Sequence, residues 1–230
     1  MSQWTRPEFT AVRKTLHVES LAHPLLAHAV PNSLDVDGRS VLITGSNMSG
    51  KTTFVRTLGV NAVLAQTLCT ACARQWRAPL LRVHTSIGRA DSLVDGKSYY
   101  LAEAESVLAL VRAKGDSQQH LYLLDEVFRG TNTTERVAAA YAVLAYLNDG
   151  ADIVVAATHD LELLELLSGT YDMHHFREQI VDDNLTFDYL IQAGPSSTRN
   201  AIALLRLMRY PESLVQNALS AIDGLTRAQH

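Results

Sequence analysis

Cysteine is scarce in this chain of 230 residues: it has two, Cys69 and Cys72. That excludes a disulfide framework and makes a reducing, cytoplasmic setting the expectation. The two form a C-x-x-C, but no second Cys or Cys/His pair completes a zinc site, so a buried structural pair at a helix end is expected. Long apolar runs are also missing. The longest, Val137 to Leu147, is well short of the roughly 18 to 20 residues of a membrane span. Met1 to Arg13 is polar and mixed, without the apolar centre of a signal peptide. Nor is there an excess of positive charge. Lysine and arginine number 20 against 24 acidic residues, for a net charge of -4. This argues against the segment alone gripping nucleic acid by phosphate neutralisation. A basic patch, or DNA-binding parts on a longer chain, stay open. Internal repeats, low-complexity tracts and clear linkers are absent. The Asn-x-Thr patterns at Asn132 and Asn184 carry no meaning in a cytoplasmic protein.

What is present is enough apolar material to fold. Hydrophobic residues make up 47% and charged residues 19%, a balance that predicts a globular chain rather than disorder. The length suits one large α/β domain, or at most two small ones. Met1 to Leu16 reads as a leader strand or the trimmed edge of a longer protein, and His17 to Gly38 as extended or turning chain. Val41 to Thr44 is a short buried strand. Thr53 to Leu68 follows as a helix, with Val55, Leu58, Ala62, Ala65 and Leu68 at helical spacing. Arg77-Ala78-Pro79 breaks the chain before a strand at Leu80 to Thr85. Ser98 to Arg112 is a helix, Leu121 to Leu124 a strand, Glu135 to Asn148 a helix, Ile153 to Ala157 a strand and Leu161 to Leu167 a helix. Tyr171 to Glu178 and Leu185 to Gln192 form a hairpin around Asp182-Asp183-Asn184. Thr198 to Met208 and Pro211 to Asp223 end the chain as helices, Pro211 in the first turn of the second. Strands alternating with helices predict an α/β fold, a mostly parallel sheet flanked by helices, with a C-terminal hairpin and helices.

Gly45-Ser46-Asn47-Met48-Ser49-Gly50-Lys51-Thr52 fits G-x-x-x-x-G-K-[ST], the P-loop, and stands between a strand and a helix as that chemistry requires. Backbone N–H groups of the loop and the helix N-terminus present partial positive charge to phosphate oxygens. Gly45 and Gly50 let the backbone approach the anion, Lys51 reaches the β- and γ-phosphates, and Thr52 offers its hydroxyl to Mg²⁺. Leu121 to Leu124 then delivers two acids, Asp125 and Glu126, at a strand end. Asp125 is the candidate Mg²⁺ holder and Glu126 the residue that orients or polarises water. His159 follows the next apolar strand, at the sheet edge where ligands collect, and is read either as a γ-phosphate partner or as a structurally satisfied histidine.

Thr44 to Thr53 resembles the P-loop of the MutS mismatch-repair ATPases, T-G-P-N-M-G-G-K-S-T, with Asn47-Met48 its distinctive part. Leu124-Asp125-Glu126-Val127-Phe128-Arg129-Gly130-Thr131-Asn132-Thr133 is similar to that family's M-D-E-[IL]-G-R-G-T-S-T, and Ala157-Thr158-His159 to its A-T-H. His23-Pro24-Leu25 resembles R-H-P-[VL]. Ile87 to Leu93 followed by Gly96-Lys97-Ser98 resembles I-G-A-x-D-x-L followed by G-x-S. Order and spacing hold from about Ser20 to the final helices.

The resemblance implies an ATPase domain of the ABC superfamily type, using ATP/ADP and Mg²⁺ and working as a head-to-tail homodimer through its nucleotide sites. Residues 1–230 then form a single domain: 1–16 an edge, 17–195 the nucleotide-binding core, 196–230 C-terminal helices. Lys51, Glu126 and His159 act in cis, and Ser98 reaches across the pair to the other copy's γ-phosphate. Thr52 and Asp125 hold the metal. Gly45, Ser46, Asn47, Met48, Ser49, Gly50, Lys51, Thr52 and Thr53 surround the phosphates, with Val30 and Tyr189 near adenine. Tyr189 reads equally well as a core residue of the hairpin. ATP binding is expected to drive dimer closure, coupled to DNA through parts outside this chain. Two rival readings are an ABC-type module with a non-DNA effector, for example a membrane-associated one, and a nucleotide-gated interaction module with little turnover. The sequence also departs from the family pattern. Phe128 replaces a glycine, Asn132 a serine, and Glu135-Arg136 an Asp-Gly, while Ser197 to Ala201 lacks the usual Ser-[FY]-Gly. A divergent branch is expected.

Overall fold

A computed structural model describes residues 3–46, 48–88, 99–115, 118–128, 132–181, 184–195, 205–206 and 208–228. Its centre is a six-stranded sheet, in spatial order β10 (Asn184–Ala193), β9 (Tyr171–Val181), β4 (Ser40–Thr44), β8 (Ile153–Ala157), β7 (Gln119–Asp125) and β6 (Leu81–Ile87). Every neighbouring pair is parallel except the β9–β10 hairpin. The tip of that hairpin, 182–183, lies outside the described residues.

Side chains alternate across a strand, so a sheet covered on both faces needs apolar residues at consecutive positions. β4 and β8 meet that demand: every residue of both is buried. Val41, Ile43, Leu121, Leu123, Val155 and Ala157 point to one face, where α1 (Lys51–Leu68) packs through Phe54, Val55, Leu58, Ala62 and Ala65. Leu42, Tyr122, Leu124, Val154 and Ala156 point to the other. There they meet Val107 and Leu110 of α2 (Tyr99–Ala113), Val137, Ala140 and Leu144 of α3 (Thr133–Asn148), and Leu163 and Leu167 of α4 (Glu162–Leu167). The last helix among the described residues is α5 (Glu212–Ala228), whose first turn bonds from Leu214 and Val215 back to Pro211 O. The other expected terminal helix, Thr198 to Met208, falls almost wholly outside the described residues.

A second sheet covers the α1 face. Its order is β1 (Glu8–Phe9), β5 (Gln75–Ala78), β2 (Thr15–Leu21) and β3 (Asn32–Asp37). Leu16, Val18, Leu34, Val36 and Trp76 project from it into the same core as α1. The sequence pattern gives only extended chain here. β5 is four residues with two buried positions, too short a run for period-2 alternation to stand out. The stretch at 1–16 is tied in by Thr5–Ala71 backbone bonds in both directions, by β1–β5 pairing, and by Lys14, whose Nζ donates to Asn148 O, Asn148 Oδ1 and Gly150 O.

The cysteines depart from expectation. They are not a buried pair: Cys69 is exposed and Cys72 buried. Cys69 ends α1 in a left-handed turn at φ 52, which swings it outward, while Cys72 N–H donates to Asn61 Oδ1 at 2.6 Å.

Candidate functional site

Strand register brings the site together. Ile43 of β4 and Asp125 of β7 both pair with Ala157 of β8, so the three strands end level. Two further bonds lace their tips: Thr158 N–H to Ile43 O and Glu126 N–H to Ala157 O, each 2.9 Å. Whatever follows each strand therefore emerges on one edge. Those followers are the glycine loop, the acid pair and His159.

The loop leaves β4 at Gly45, where φ is 144. A Cβ on Gly45 would stand 2.5 Å from Phe176 O, so the position admits only glycine. Met48 turns through the left-handed region at φ 71 with its side chain in solvent. Gly50, at φ 114, hands over to α1 by accepting the Phe54 N–H bond. The helix thus begins at Lys51, two residues earlier than its apolar periodicity signals. Lys51 is 4% exposed, and its Nζ donates to Gly45 O at 2.7 Å and Ser46 O at 2.8 Å, bracing the loop from inside. Ser46 Oγ and Ser49 Oγ are buried with no hydrogen-bond partner among the described residues. Buried hydroxyls are costly unless satisfied. Two of them in a turn that opens onto a helix N-terminus suit the oxygens of a phosphate chain.

Thr52 Oγ1 donates to Asp125 Oδ2 at 2.7 Å. A hydroxyl and a buried carboxylate beside a phosphate loop fit Mg²⁺, which takes one or two protein oxygens and fills its remaining positions with phosphate and water. Among the described residues, no group of three or more His, Cys, Asp or Glu side chains could hold an ion alone. Thr52 and Asp125 would hold Mg²⁺ only with the substrate's help.

Glu126 adopts φ 53, an uncommon backbone for a non-glycine residue and a form of strain often found at working sites. Its carboxylate is 10% exposed, with Oε2 3.4 Å from His159 Nδ1. Past it, Phe128 also takes a positive φ, 64, and its N–H donates to Glu103 Oε1 of α2 at 2.7 Å.

A largely apolar cavity of about 200 Å³ opens beside the loop. Val30, Phe176 and Tyr189 line it together with Gly50, Thr53 and Phe54. Tyr189 sits at φ 54 in the irregular stretch of the hairpin between Phe187 and Ile191. Asn32 organises this wall. Its Nδ2 donates to Tyr189 O and Val30 O, and its Oδ1 accepts from Ile191 N–H. Asn47 and Ser98 lie outside the described residues.

The family model described as MutS domain V matches residues 41–226. The chain belongs to the MutS family. Among its relatives, the DNA mismatch repair protein MutS 2 of Halobacterium salinarum is 34% identical over 221 residues, 91% of this chain and 25% of the relative. The DNA mismatch repair proteins MutS of Thermus thermophilus and Listeria monocytogenes are 31% and 32% identical, over 96% and 92% of this chain and 27% and 26% of theirs. The chain therefore spans about a quarter of the length of the curated relatives it matches. Among the described residues no helix is long and apolar enough to cross a membrane.

In this MutS domain the structure gathers Gly45, Ser46, Ser49, Gly50, Lys51, Thr52, Asp125, Glu126 and His159 at one sheet edge, and Val30, Thr53 and Tyr189 around the adjoining cavity. Sequence reasoning missed Asn32, Phe176, Arg136 and Asp160. Asn32 acts through side-chain bonds to β10, and Phe176 by lying against Gly45 and Phe54, contacts between residues far apart in the sequence that leave no local signature. Arg136 entered the sequence reading only as a departure from the family pattern, and its pairing with Asp160 is visible only in three dimensions.

Proposed function

We propose that this domain binds ATP with Mg²⁺ and hydrolyses it to ADP and phosphate, as one half of a head-to-tail pair of copies of the ABC type. The Thr52–Asp125 contact beside the glycine loop carries the reading: it joins a P-loop helix to an acid-bearing strand across an intervening strand. Loop N–H groups, the Ser46 and Ser49 hydroxyls and Lys51 cradle the phosphate chain, and Asn47 adds to that cradle. The cavity between Val30 and Tyr189 takes the base. The metal, when bound, neutralises charge on the β- and γ-phosphates. Glu126 orients a water and takes its proton as the water oxygen bonds to the γ-phosphorus. The bond to the β–γ bridging oxygen breaks, and ADP leaves with that oxygen. His159 donates to the γ-phosphate. Ser98 of the second copy completes the charge stabilisation, so pairing gates turnover. Charge stabilisation completed across an interface is worth roughly 10³- to 10⁵-fold in rate in arginine-finger systems.

In a longer protein carrying this domain, closure of the pair would reshape DNA-binding parts outside this chain. The relatives' names as DNA mismatch repair proteins support that role.

Phosphate release and light scattering with and without ATP–Mg²⁺ test the reading. Glu126→Gln is expected to lower release by about 10² to 10⁴-fold and to accumulate as an ATP-bound dimer. Equal release rates in wild type and variant would defeat hydrolysis at this site and leave a nucleotide-gated module. A monomer at saturating ATP would defeat the paired mechanism.

A further inference from the structure

Arg136 stands in the first turn of α3 and its guanidinium forks onto Asp160: Nε to Oδ2 at 3.0 Å and Nη2 to Oδ1 at 2.5 Å. The two side chains are 14% and 6% exposed. Asp160 also faces the neighbouring imidazole, with Oδ1 3.8 Å from His159 Nε2. The other ring nitrogen, Nδ1, lies 3.4 Å from Glu126 Oε2. A continuous line of polar groups thus runs from α3, across the tip of β8, to the acid beyond β7.

The firmest link is the first. A bidentate arginine–carboxylate pair is directional, so Asp160 is fixed in plane as well as in place. Its backbone is pinned as well, Asp160 N–H donating to Thr158 Oγ1 at 3.0 Å. A buried carboxylate without a cation is strongly unfavourable, which makes Arg136 the condition for having Asp160 there. The hydrogen bond to Asp160 in turn raises the guanidinium's proton affinity. The imidazole itself is 46% exposed. Such exposure leaves the ring room to turn, and the structure sets a carboxylate against each of its nitrogens, at 3.4 and 3.8 Å.

We propose that Arg136 is a positioning residue: acting through Asp160, it holds the His159 ring against Glu126 and so sets the direction of the Glu126 carboxylate. The proposal rests on the ATPase reading for its kinetic consequence, but its structural content can be measured without turnover.

Arg136→Gln, Asp160→Asn, the double variant and Arg136→Lys test it. Arg136→Gln is expected to lower kcat for phosphate release by about 10- to 100-fold, the usual cost of losing an outer support, with KM within about twofold. The double variant leaves no unpaired charge and is expected to regain stability while kcat stays low. Lysine restores charge without the fork and is expected to recover only part of kcat. If kcat returns together with stability in the double variant, the pair is a plain staple and the proposal falls. The second readout is NMR of ¹⁵N-histidine-labelled protein without nucleotide. The His159 ring nitrogens are expected to shift in Arg136→Gln, while those of the distant His17 hold still. Unmoved His159 signals overturn the proposal even if the wild type releases no phosphate, a result that by itself would count only against the ATPase reading.

Discussion

Phe128 shows how this chain uses a residue where its family's pattern has glycine. Its φ of 64 is the conformation a glycine adopts freely, and an L side chain there costs about 1 to 2 kcal/mol. Yet the ring is 9% exposed and packs into the core with α2 and α3. Losing a buried phenyl costs about 3 to 5 kcal/mol, so burial outweighs strain. Phe128→Gly is therefore expected to destabilise the fold by about 1 to 4 kcal/mol, measured by urea denaturation, although it restores the family's residue. A variant more stable than wild type would show that the strain dominates. The P-loop and the Asp125-Glu126 pair were legible at this scale, because their chemistry is encoded in consecutive residues. The polar support behind His159 was not, since Arg136 and Asp160 are separated by the rest of α3 and all of β8.

Among the elements, those with long uniform patterns were legible and those defined by distant partners were not. β4, β7 and β8 announced themselves as apolar runs, and α1 by its periodicity. The small sheet of β1, β5, β2 and β3 depends on short strands from three separated stretches, and nothing local marks their pairing. The β3–β10 junction is of the same kind. There Asn32 satisfies Val30, Tyr189 and Ile191 at once, so one side chain shapes the cavity wall. Removing it strands part-buried backbone groups, at up to about 1 to 3 kcal/mol. Asn32→Ala is expected to weaken binding of a fluorescent adenine nucleotide by about tenfold or more, within that range, while inorganic triphosphate binding changes little. Equal losses for both ligands would mean the phosphate loop, rather than the base wall, had been disturbed.

For the molecule as a whole, folding and ligand binding share one framework. The α1 face buries the first core and simultaneously presents its N-terminus to the loop. Occupancy of the loop should therefore be felt as stability. At a nucleotide concentration 100-fold above Kd, linkage gives about 2.7 kcal/mol. The unfolding midpoint is expected to rise with ATP–Mg²⁺, to rise less with ATP and EDTA, and not to move in Lys51→Ala. A similar rise in Lys51→Ala would show that nucleotide binds elsewhere.

β8 has a role of its own in this framework. The strand that carries the glycine loop and the strand that carries the acids never touch; β8 lies between them as a shim. Sheet spacing has a single gauge of about 4.8 Å, so the separation between the two strand ends is set in whole steps rather than adjusted. Side chains such as Thr52 and Asp125 must bridge whatever remains. Drift in this site is accordingly confined to residues projecting from the strand tips, while the distance underneath them is inherited unchanged.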